Sequence, residues 1–145
     1  ARDYVEMQWL MLQQDEPEDF VIATGQQISV RKFVELAARE LGWNKKHNQN
    51  AIRWEGKGLD EIGIRSDTGE IVVKVDKRYF RPTEVKELKG DSSKAFKKLG
   101  WLPKYTLEQL IEEMIVNDKK EAEKEFLLNK EGFEINAPLE SPPNN

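Results

Sequence analysis

The hydrophobic pattern changes its period along the chain, and this change constrains the fold more than any other feature. Apolar residues recur at helical spacing over residues 30–41, where Ser29 is a plausible N-cap and Gly42 can close the helix in a left-handed conformation. Short runs rich in β-branched residues predict strands at residues 20–24, 52–54 and 71–75. The pattern therefore predicts an α/β chain, a mixed α+β segment in which helices pack around a few short strands.

The first predicted helix is unusually apolar. Asp3 can act as its N-cap, and the helix runs to about Gln14 before an acidic turn that contains Pro17. Because its residues are apolar on nearly every side, we expect this helix to be buried.

Capping residues predict two more helices in the second half of the chain. A short helix, capped by Asp91 or Ser92, is closed by Gly100. Thr106 and Gln109 match a capping box, and we expect the helix that they begin to continue into the Glu/Lys-rich region that follows.

Composition narrows the class of protein. With 38% hydrophobic residues the chain can bury a core, and the lack of cysteine excludes disulfides, thiolate metal sites and thiol nucleophiles. No apolar stretch approaches the roughly 18 residues of a membrane span, and a signal-peptide pattern is missing, so we expect a cytoplasmic protein that does not enter the membrane. We predict one unit over residues 1–135 and a disordered tail at residues 136–145, where apolar residues are few.

Charge is distributed unevenly. Residues 74–104 carry ten Lys/Arg and four Asp/Glu within a chain whose net charge is −4. The acidic flanks and a pI of about 5.2 disfavour a nucleic-acid binder, because such binding depends on a broad basic surface. One small anionic ligand fits this basic block better.

The usual catalytic and metal-binding constellations are missing from the sequence. His47 is the only histidine, which excludes His-rich metal sites and disfavours a His-based triad. Gly56-Lys57-Gly58 begins a G-x-G, but Glu61 stands where the dinucleotide-binding fingerprint needs its third glycine. No Tyr-x-x-x-Lys pair occurs, so we predict a simple loop at residues 56–58 and neither catalytic nor cofactor-binding nor metal-binding residues in this chain.

The remaining candidate is the decapeptide Asp-Lys-Arg-Tyr-Phe-Arg-Pro-Thr-Glu-Val at residues 76–85. Beside a rigid proline, the Arg81 guanidinium is suited to two parallel hydrogen bonds with phosphate oxygens, and Glu84 can accept from two neighbouring hydroxyls. A diphosphate joined to a ribose presents that combination. From the residues alone an alternative stays open, a surface loop in which Arg81 pairs with a nearby acidic side chain.

Further sequence blocks accompany the decapeptide, two after it and others at the start of the chain. Leu-Lys-Gly-Asp-Ser-Ser-Lys-Ala at residues 88–95 is followed by Lys-Leu-Gly-Trp-Leu-Pro-Lys at 98–104. The chain opens with Ala-Arg-Asp-Tyr-Val, and this opening leads through Leu-Gln-Gln to Ile-Ala-Thr-Gly at 22–25. In content and order these blocks, which cover roughly residues 1–30 and 71–117, resemble the GDP-mannose 4,6-dehydratase family of extended short-chain dehydrogenases.

The resemblance implies an NADP-dependent lyase that converts GDP-mannose to GDP-4-dehydro-6-deoxymannose on the route to GDP-fucose. In that family an N-terminal Rossmann portion binds NADP and carries the catalytic Thr or Ser, Glu and Tyr-x-x-x-Lys. The C-terminal portion closes over the nucleotide sugar. By position, Arg81 would contact the diphosphate and Glu84 the ribose hydroxyls of GDP.

The resemblance also implies which part of a longer protein this chain is and which partners it has. Because the sequence begins with Ala1 rather than methionine, we expect a C-terminal, substrate-binding portion that is inactive alone. Its expected partners are GDP-mannose, the N-terminal Rossmann part and further copies of the full-length protein in a homo-oligomer. Two alternatives remain: a fragment of the related GDP-4-keto-6-deoxymannose reductase, and a free-standing non-catalytic module that binds a partner through its acidic helices.

Overall fold

The computed structural model describes residues 1–43, 50–81, 85 and 88–133. Within these residues the chain forms four α-helices and three strands, which confirms the expected mixed architecture. In chain order they are α1 (Arg2–Leu12), α2 (Val30–Glu40), β1 (Ile52–Glu55), β2 (Ile62–Arg65), β3 (Ile71–Lys74), α3 (Ser93–Leu99) and α4 (Leu107–Lys130). The tail predicted at residues 136–145 lies outside the described residues. Among the described helices, none has the length and apolar character needed to cross a bilayer.

Helix α2 forms as its sequence predicts. The Ser29 hydroxyl accepts a hydrogen bond from the Lys32 amide at 3.1 Å, and Gly42 follows the helix with φ of +78°. Leu36 and Ala38 are its buried residues. Local capping signals and an apolar stripe were therefore sufficient to define this element.

The three strands form an antiparallel sheet in the order β1-β2-β3. Gly63 on β2 lies opposite Trp54 on β1 and Val73 on β3. A Cβ at position 63 would come within 3.0 Å of both neighbouring side chains, so glycine lets the Trp54 ring lie across the sheet. The strands predicted at residues 52–54 and 71–75 are confirmed, with small shifts at their ends.

One hydrophobic core joins α2 to the start of the sheet. Ala38, Ala51 and Ile52 are buried together, and the rings of Trp43 and Trp54 pack around them. The Trp54 indole N–H donates to the Glu35 carboxylate at 3.1 Å, so the polar atom of this large ring is satisfied. Helix α4 contacts α2 as well.

A second core joins the first helix to the second half of the chain. Met7, Ala95 and Trp101 are buried, and the Trp101 indole N–H donates to the Asp3 carbonyl at 3.1 Å. The Asp3 carboxylate accepts from the amides of Lys104 and Tyr105 at 3.1 and 3.2 Å. The prediction that Asp3 caps α1 is therefore wrong, because its side chain instead ties α1 to the connection that precedes α4.

The expected burial of α1 is also wrong for the described residues. Only Met7 is buried, because α3 and Trp101 cover a single side of the helix. Val5, Trp9 and Leu12, spaced for one helical face, are 61%, 59% and 82% exposed. We call these three residues the outer face of α1.

The strand predicted at residues 20–24 is wrong. This segment belongs to none of the strands in the described residues, although Phe20 and Ile22 contribute to the Trp101 core. The Lys94 ammonium donates to the Asp19 carbonyl at 2.8 Å and lies 4.7 Å from the centre of the Phe20 ring. Packing against α3 thus orders this apolar run without a neighbouring strand.

The two later helices begin at the predicted signals, and α3 also ends at its predicted glycine. Gly100 closes α3 with φ of +66°, and the Asp91 carboxylate accepts from the Ser93 amide at 2.9 Å. The capping box is complete, since Thr106 and Gln109 each accept from the other's amide. Helix α4 then continues through the Glu/Lys-rich region, as expected.

The role of Trp101 in the core can be tested by comparing two tryptophans. Trp101 is 2% exposed, whereas Trp9 is 59% exposed. We expect Trp101→Ala to lower the free energy of unfolding by about 3–5 kcal/mol, because it empties the core and removes the bond to Asp3. Trp9→Ala should change it by less than about 0.5 kcal/mol. Urea denaturation followed by circular dichroism measures both, and equal losses would contradict this core.

Candidate functional site

A short turn leads from β3 to the predicted site residues. Lys77–Tyr79 form one 3₁₀ turn, and the Asp76 carboxylate caps it by accepting from the Arg78 amide at 2.9 Å. The Arg78 guanidinium folds back onto the same carboxylate, with its Nε 3.1 and 3.0 Å from the two oxygens. We call this pair the Asp76–Arg78 brace.

The brace shifts the pKa values of both Asp76 and Arg78. Hydrogen bonds from the Arg78 side chain and then from its amide lower the pKa of Asp76 from 3.8 to about 2. The same carboxylate raises the pKa of Arg78. Both charges are therefore present at neutral pH, and the turn is held by an ion pair between residues two positions apart.

Arg81 lies two residues beyond the end of this turn. Its side chain is exposed, and Phe80, which precedes it, has an extended backbone and a side chain that is 52% exposed. Glu84, the other predicted site residue, lies outside the described residues, so its placement beside Arg81 stays a prediction.

The segment that follows the decapeptide returns against the first part of the chain. The Leu88 amide donates to the Gln27 side-chain oxygen at 2.9 Å. At Gly90 the two segments are in close contact, because a Cβ there would lie 2.5 Å from the Ala23 Cβ and 3.2 Å from Val21. Of the segment over residues 76–88, which we call the Arg81 loop, the described start follows β3 and the described end lies beside residues 21–27.

Those same residues border a groove of about 330 Å³, which sequence reasoning did not find. The start of α1, residues 24–28, the connection before α4 and the first turns of α4 enclose it. Its volume falls at the small end of the range for ligand pockets. Among its polar lining residues are Arg2, Thr24, Gln26, Tyr105 and Glu113. No short-range sequence signal could have found it, because its walls are far apart in the chain.

Arg2 is one of the charged residues on the wall of this groove. Its guanidinium donates to the Glu113 carboxylate at 2.5 Å and lies 5.4 Å from the centre of the Tyr105 ring. A hydrogen bond with Tyr105 and the charge of Glu113 raise the pKa of Arg2. Lys104, on the same wall, pairs with Glu6, which raises the Lys104 pKa. The groove thus has cations whose present partners an anionic ligand could replace.

The glycine-rich loop does not form a phosphate cradle. Gly56 and Gly58 have positive φ; Gly56 follows β1 and Gly58 begins a single 3₁₀ turn, so neither lies between a strand and an α-helix. A Cβ at Gly56 would lie 2.2 Å from the Asp60 carbonyl oxygen, so a tight turn explains this glycine. Among the described residues, no group of three His, Cys, Asp or Glu side chains could hold a metal ion.

Comparison with known proteins identifies a family whose profile matches this chain. The sequence profile described as "GDP-mannose 4,6 dehydratase" matches residues 1–114. The match includes α1 through the first turns of α4, and thus both walls of the groove and the whole loop that contains Arg81.

Individual relatives extend this match. A GDP-mannose 4,6-dehydratase of Yersinia enterocolitica is 49% identical over 97% of the chain, and one of Vibrio cholerae is 48% identical over 97%. A GDP-mannose 4,6 dehydratase of Homo sapiens is 50% identical over 81% of the chain. The chain spans 39%, 38% and 30% of these three relatives, respectively.

The Asp76–Arg78 brace predicts a pH dependence. Because the pKa of Asp76 is depressed on folding, the brace stabilises the turn above pH 3.8, and this contribution is lost as the pH falls towards 2. Carbon-13 titration of the Asp76 carboxyl should show it still ionised at about pH 3. In Arg78→Met its midpoint should return towards 3.8, whereas Lys77→Met should leave it near 2. A midpoint that stays near 2 in Arg78→Met would contradict the brace.

Proposed function

The chain belongs to the GDP-mannose 4,6-dehydratase family, and on that premise we propose that it provides the nucleotide-sugar-binding portion of such an enzyme. The substrate is GDP-mannose, and the product is GDP-4-dehydro-6-deoxymannose, formed with loss of water. The enzyme is a lyase that uses NADP and works in the cytoplasm. Arg81 binds the diphosphate, and Glu84 accepts hydrogen bonds from the ribose hydroxyls.

One observation carries the proposal beyond family membership: the Arg81 loop ends on the segment that borders the groove. Gln27 accepts from the Leu88 amide, and its neighbour Gln26 lines the groove. A ligand in the groove would therefore lie close to the end of the loop. An elongated nucleotide sugar, with an anionic centre and polar groups at both ends, suits a loop and a groove that adjoin in this way.

The charges of the site suit an anionic ligand. Arg81 extends the basic block of residues 74–104, and Arg78 is held by Asp76, so the brace orders the backbone before Arg81. Arg2 provides a second guanidinium at the wall of the groove. Two guanidiniums on different elements can share the charge of a diphosphate, and each offers paired N–H donors to its oxygens.

The cofactor is assigned to the rest of the enzyme. The turn at Gly56 and Gly58 does not fit a dinucleotide, and the described residues offer no strand–turn–helix phosphate site in its place. We therefore assign NADP to the part of the family's length that this chain does not span. This chain's residues bind and orient the sugar nucleotide.

The outer face of α1 suits contact with that remaining part of the enzyme. Val5, Trp9 and Leu12 form one exposed apolar stripe, and such a stripe marks an interaction surface. We assign this face to the N-terminal Rossmann part, in an enzyme that assembles as a homo-oligomer.

The binding role of Arg81 can be tested in a family-length chimera, in which this chain is joined to the part of the Yersinia enterocolitica relative that it does not match. We expect the chimera to dehydrate GDP-mannose. Arg81→Ala should raise KM for GDP-mannose about 10- to 150-fold, which corresponds to ~1.5–3 kcal/mol for a charge-assisted hydrogen bond.

Arg53→Ala is the matched control, because Arg53 is an exposed arginine on β1 that pairs with Glu55. It should leave KM unchanged. A folded chimera that does not consume GDP-mannose would contradict the proposed reaction, and an unchanged KM in Arg81→Ala would contradict the assigned site. Mass spectrometry of the nucleotide sugar measures both.

The outer face of α1 predicts self-association of the isolated chain. Leu12→Lys should lower the sedimentation-average mass without lowering the melting temperature, because this side chain is 82% exposed. Val30→Lys is the control, since Val30 is equally exposed but lies at the start of α2, outside that face. Equal effects of the two substitutions would contradict the assignment.

A further inference from the structure

An ion pair joins two walls of the groove. Nη2 of Arg2, on α1, donates to Oε1 of Glu113, on α4, and the two residues are 111 positions apart in the sequence. Both residues line the groove, and their side chains are 62% and 45% exposed. A ligand that enters from solvent can therefore reach this pair without disturbing the hydrophobic core.

The Arg2 guanidinium has a second contact, which does not involve Glu113. It lies 5.4 Å from the centre of the Tyr105 ring, and a hydrogen bond with Tyr105 raises the pKa of Arg2 more than the charge of Glu113 does. Tyr105 is held in turn, because its backbone amide donates to the Asp3 carboxylate at 3.2 Å. Arg2 therefore keeps a defined place on the groove wall when its acidic partner is replaced.

A phosphate can bond to this guanidinium more fully than the carboxylate does. The bond described here runs from one terminal nitrogen of Arg2 to one oxygen of Glu113. A phosphate group can present two oxygens to two nitrogens of the same guanidinium, and such paired, charge-assisted hydrogen bonds are the stronger kind. Exchange of the carboxylate for a phosphate is therefore favourable for Arg2.

A second cation of the groove, Lys104, is paired differently. Its ammonium bonds to both oxygens of Glu6, at 2.5 and 2.7 Å, and Glu6 is not one of the lining residues. The Glu113 carboxylate, by contrast, belongs to the groove wall and would lie close to an anion bound at Arg2. It opposes anion binding in two ways, because it occupies the guanidinium and repels the charge of the ligand.

We propose that Glu113 is a positioning residue for nucleotide-sugar binding, the counter-ion that holds Arg2 until the diphosphate displaces it. The inference rests on the proposed function. Glu113 keeps the guanidinium paired before the substrate binds, and its negative charge limits how tightly the groove holds an anion. Loss of this charge should therefore strengthen substrate binding, whereas loss of a purely structural ion pair would not.

The test uses the family-length chimera and substitutions that keep the length of the side chain. Glu113→Gln removes the charge but can still accept a hydrogen bond from Arg2. We expect it to lower KM for GDP-mannose about two- to fivefold, the size of one exposed ion pair, with kcat unchanged. Glu112→Gln is the matched control, because it removes the same charge from the neighbouring exposed residue of α4. It should leave KM unchanged.

A double substitution shows whether Glu113 acts through Arg2. Arg2→Met alone should raise KM about tenfold, because it removes a charge-assisted hydrogen-bonding partner of the phosphate. In the Arg2→Met background, Glu113→Gln should change KM by less than about 1.5-fold, since no guanidinium remains to be released.

Each result decides the inference. It is overturned if Glu113→Gln leaves KM unchanged or raises it, or if kcat falls as far as KM. It is also overturned if Glu112→Gln lowers KM equally, or if Glu113→Gln still lowers KM in the absence of Arg2. Arg81→Ala, measured in parallel, separates this inference from the proposed function. If Arg81→Ala raises KM and Glu113→Gln does not lower it, only the counter-ion role fails. If Arg81→Ala leaves KM unchanged, the proposed binding site itself fails.

Discussion

The docking of Trp101 onto the start of α1 is the interaction on which the rest of the described structure depends. The indole ring is buried between Met7 and Ala95, and its N–H bonds to the Asp3 carbonyl. The Asp3 carboxylate then holds the amides of the connection that leads into α4. This contact, together with the Arg2–Glu113 ion pair, brings the two walls of the groove, α1 and the first turns of α4, to face each other.

The proposed site depends on this core indirectly, through the segment that packs on it. The same core orders residues 20–24, because Phe20 and Ile22 pack on it, and this segment continues into Gln26 and Gln27. Gln26 lines the groove, and Gln27 binds the end of the Arg81 loop. A hydrophobic core is therefore connected to the Leu88 end of the Arg81 loop through residues 20–27. The family profile matches all of these elements, consistent with a shared structural unit.

Elements with local signals could be predicted from the sequence, whereas those that depend on distant contacts could not. Ser29, Gly100 and the Thr106 capping box act within a few residues, and each defines its helix as expected. The apolar run at residues 20–24 reads as a strand, but it packs on helices, since the sequence does not reveal which surface covers it. The predicted burial of α1 was wrong for the same reason, because the sequence does not reveal which side of the helix is covered.

The candidate site likewise has parts that could be predicted from the sequence and parts that could not. Its composition pointed to a phosphate, and the resemblance assigned roles to Arg81 and Glu84. The groove and the Gln27–Leu88 contact could not be read from the sequence, because each joins residues that are far apart in the chain. The Asp76–Arg78 brace, by contrast, lies within three residues, yet its geometry depends on a 3₁₀ turn that has no strong sequence signal.

The central claim is that this chain holds the diphosphate and ribose of a nucleotide sugar between the Arg81 loop and the groove. A crystal structure of the family-length chimera with GDP-mannose tests it most directly. The account predicts the Arg81 guanidinium within about 3.2 Å of the phosphate oxygens and Glu84 at hydrogen-bonding distance from the ribose hydroxyls. A nucleotide bound away from both residues would contradict it.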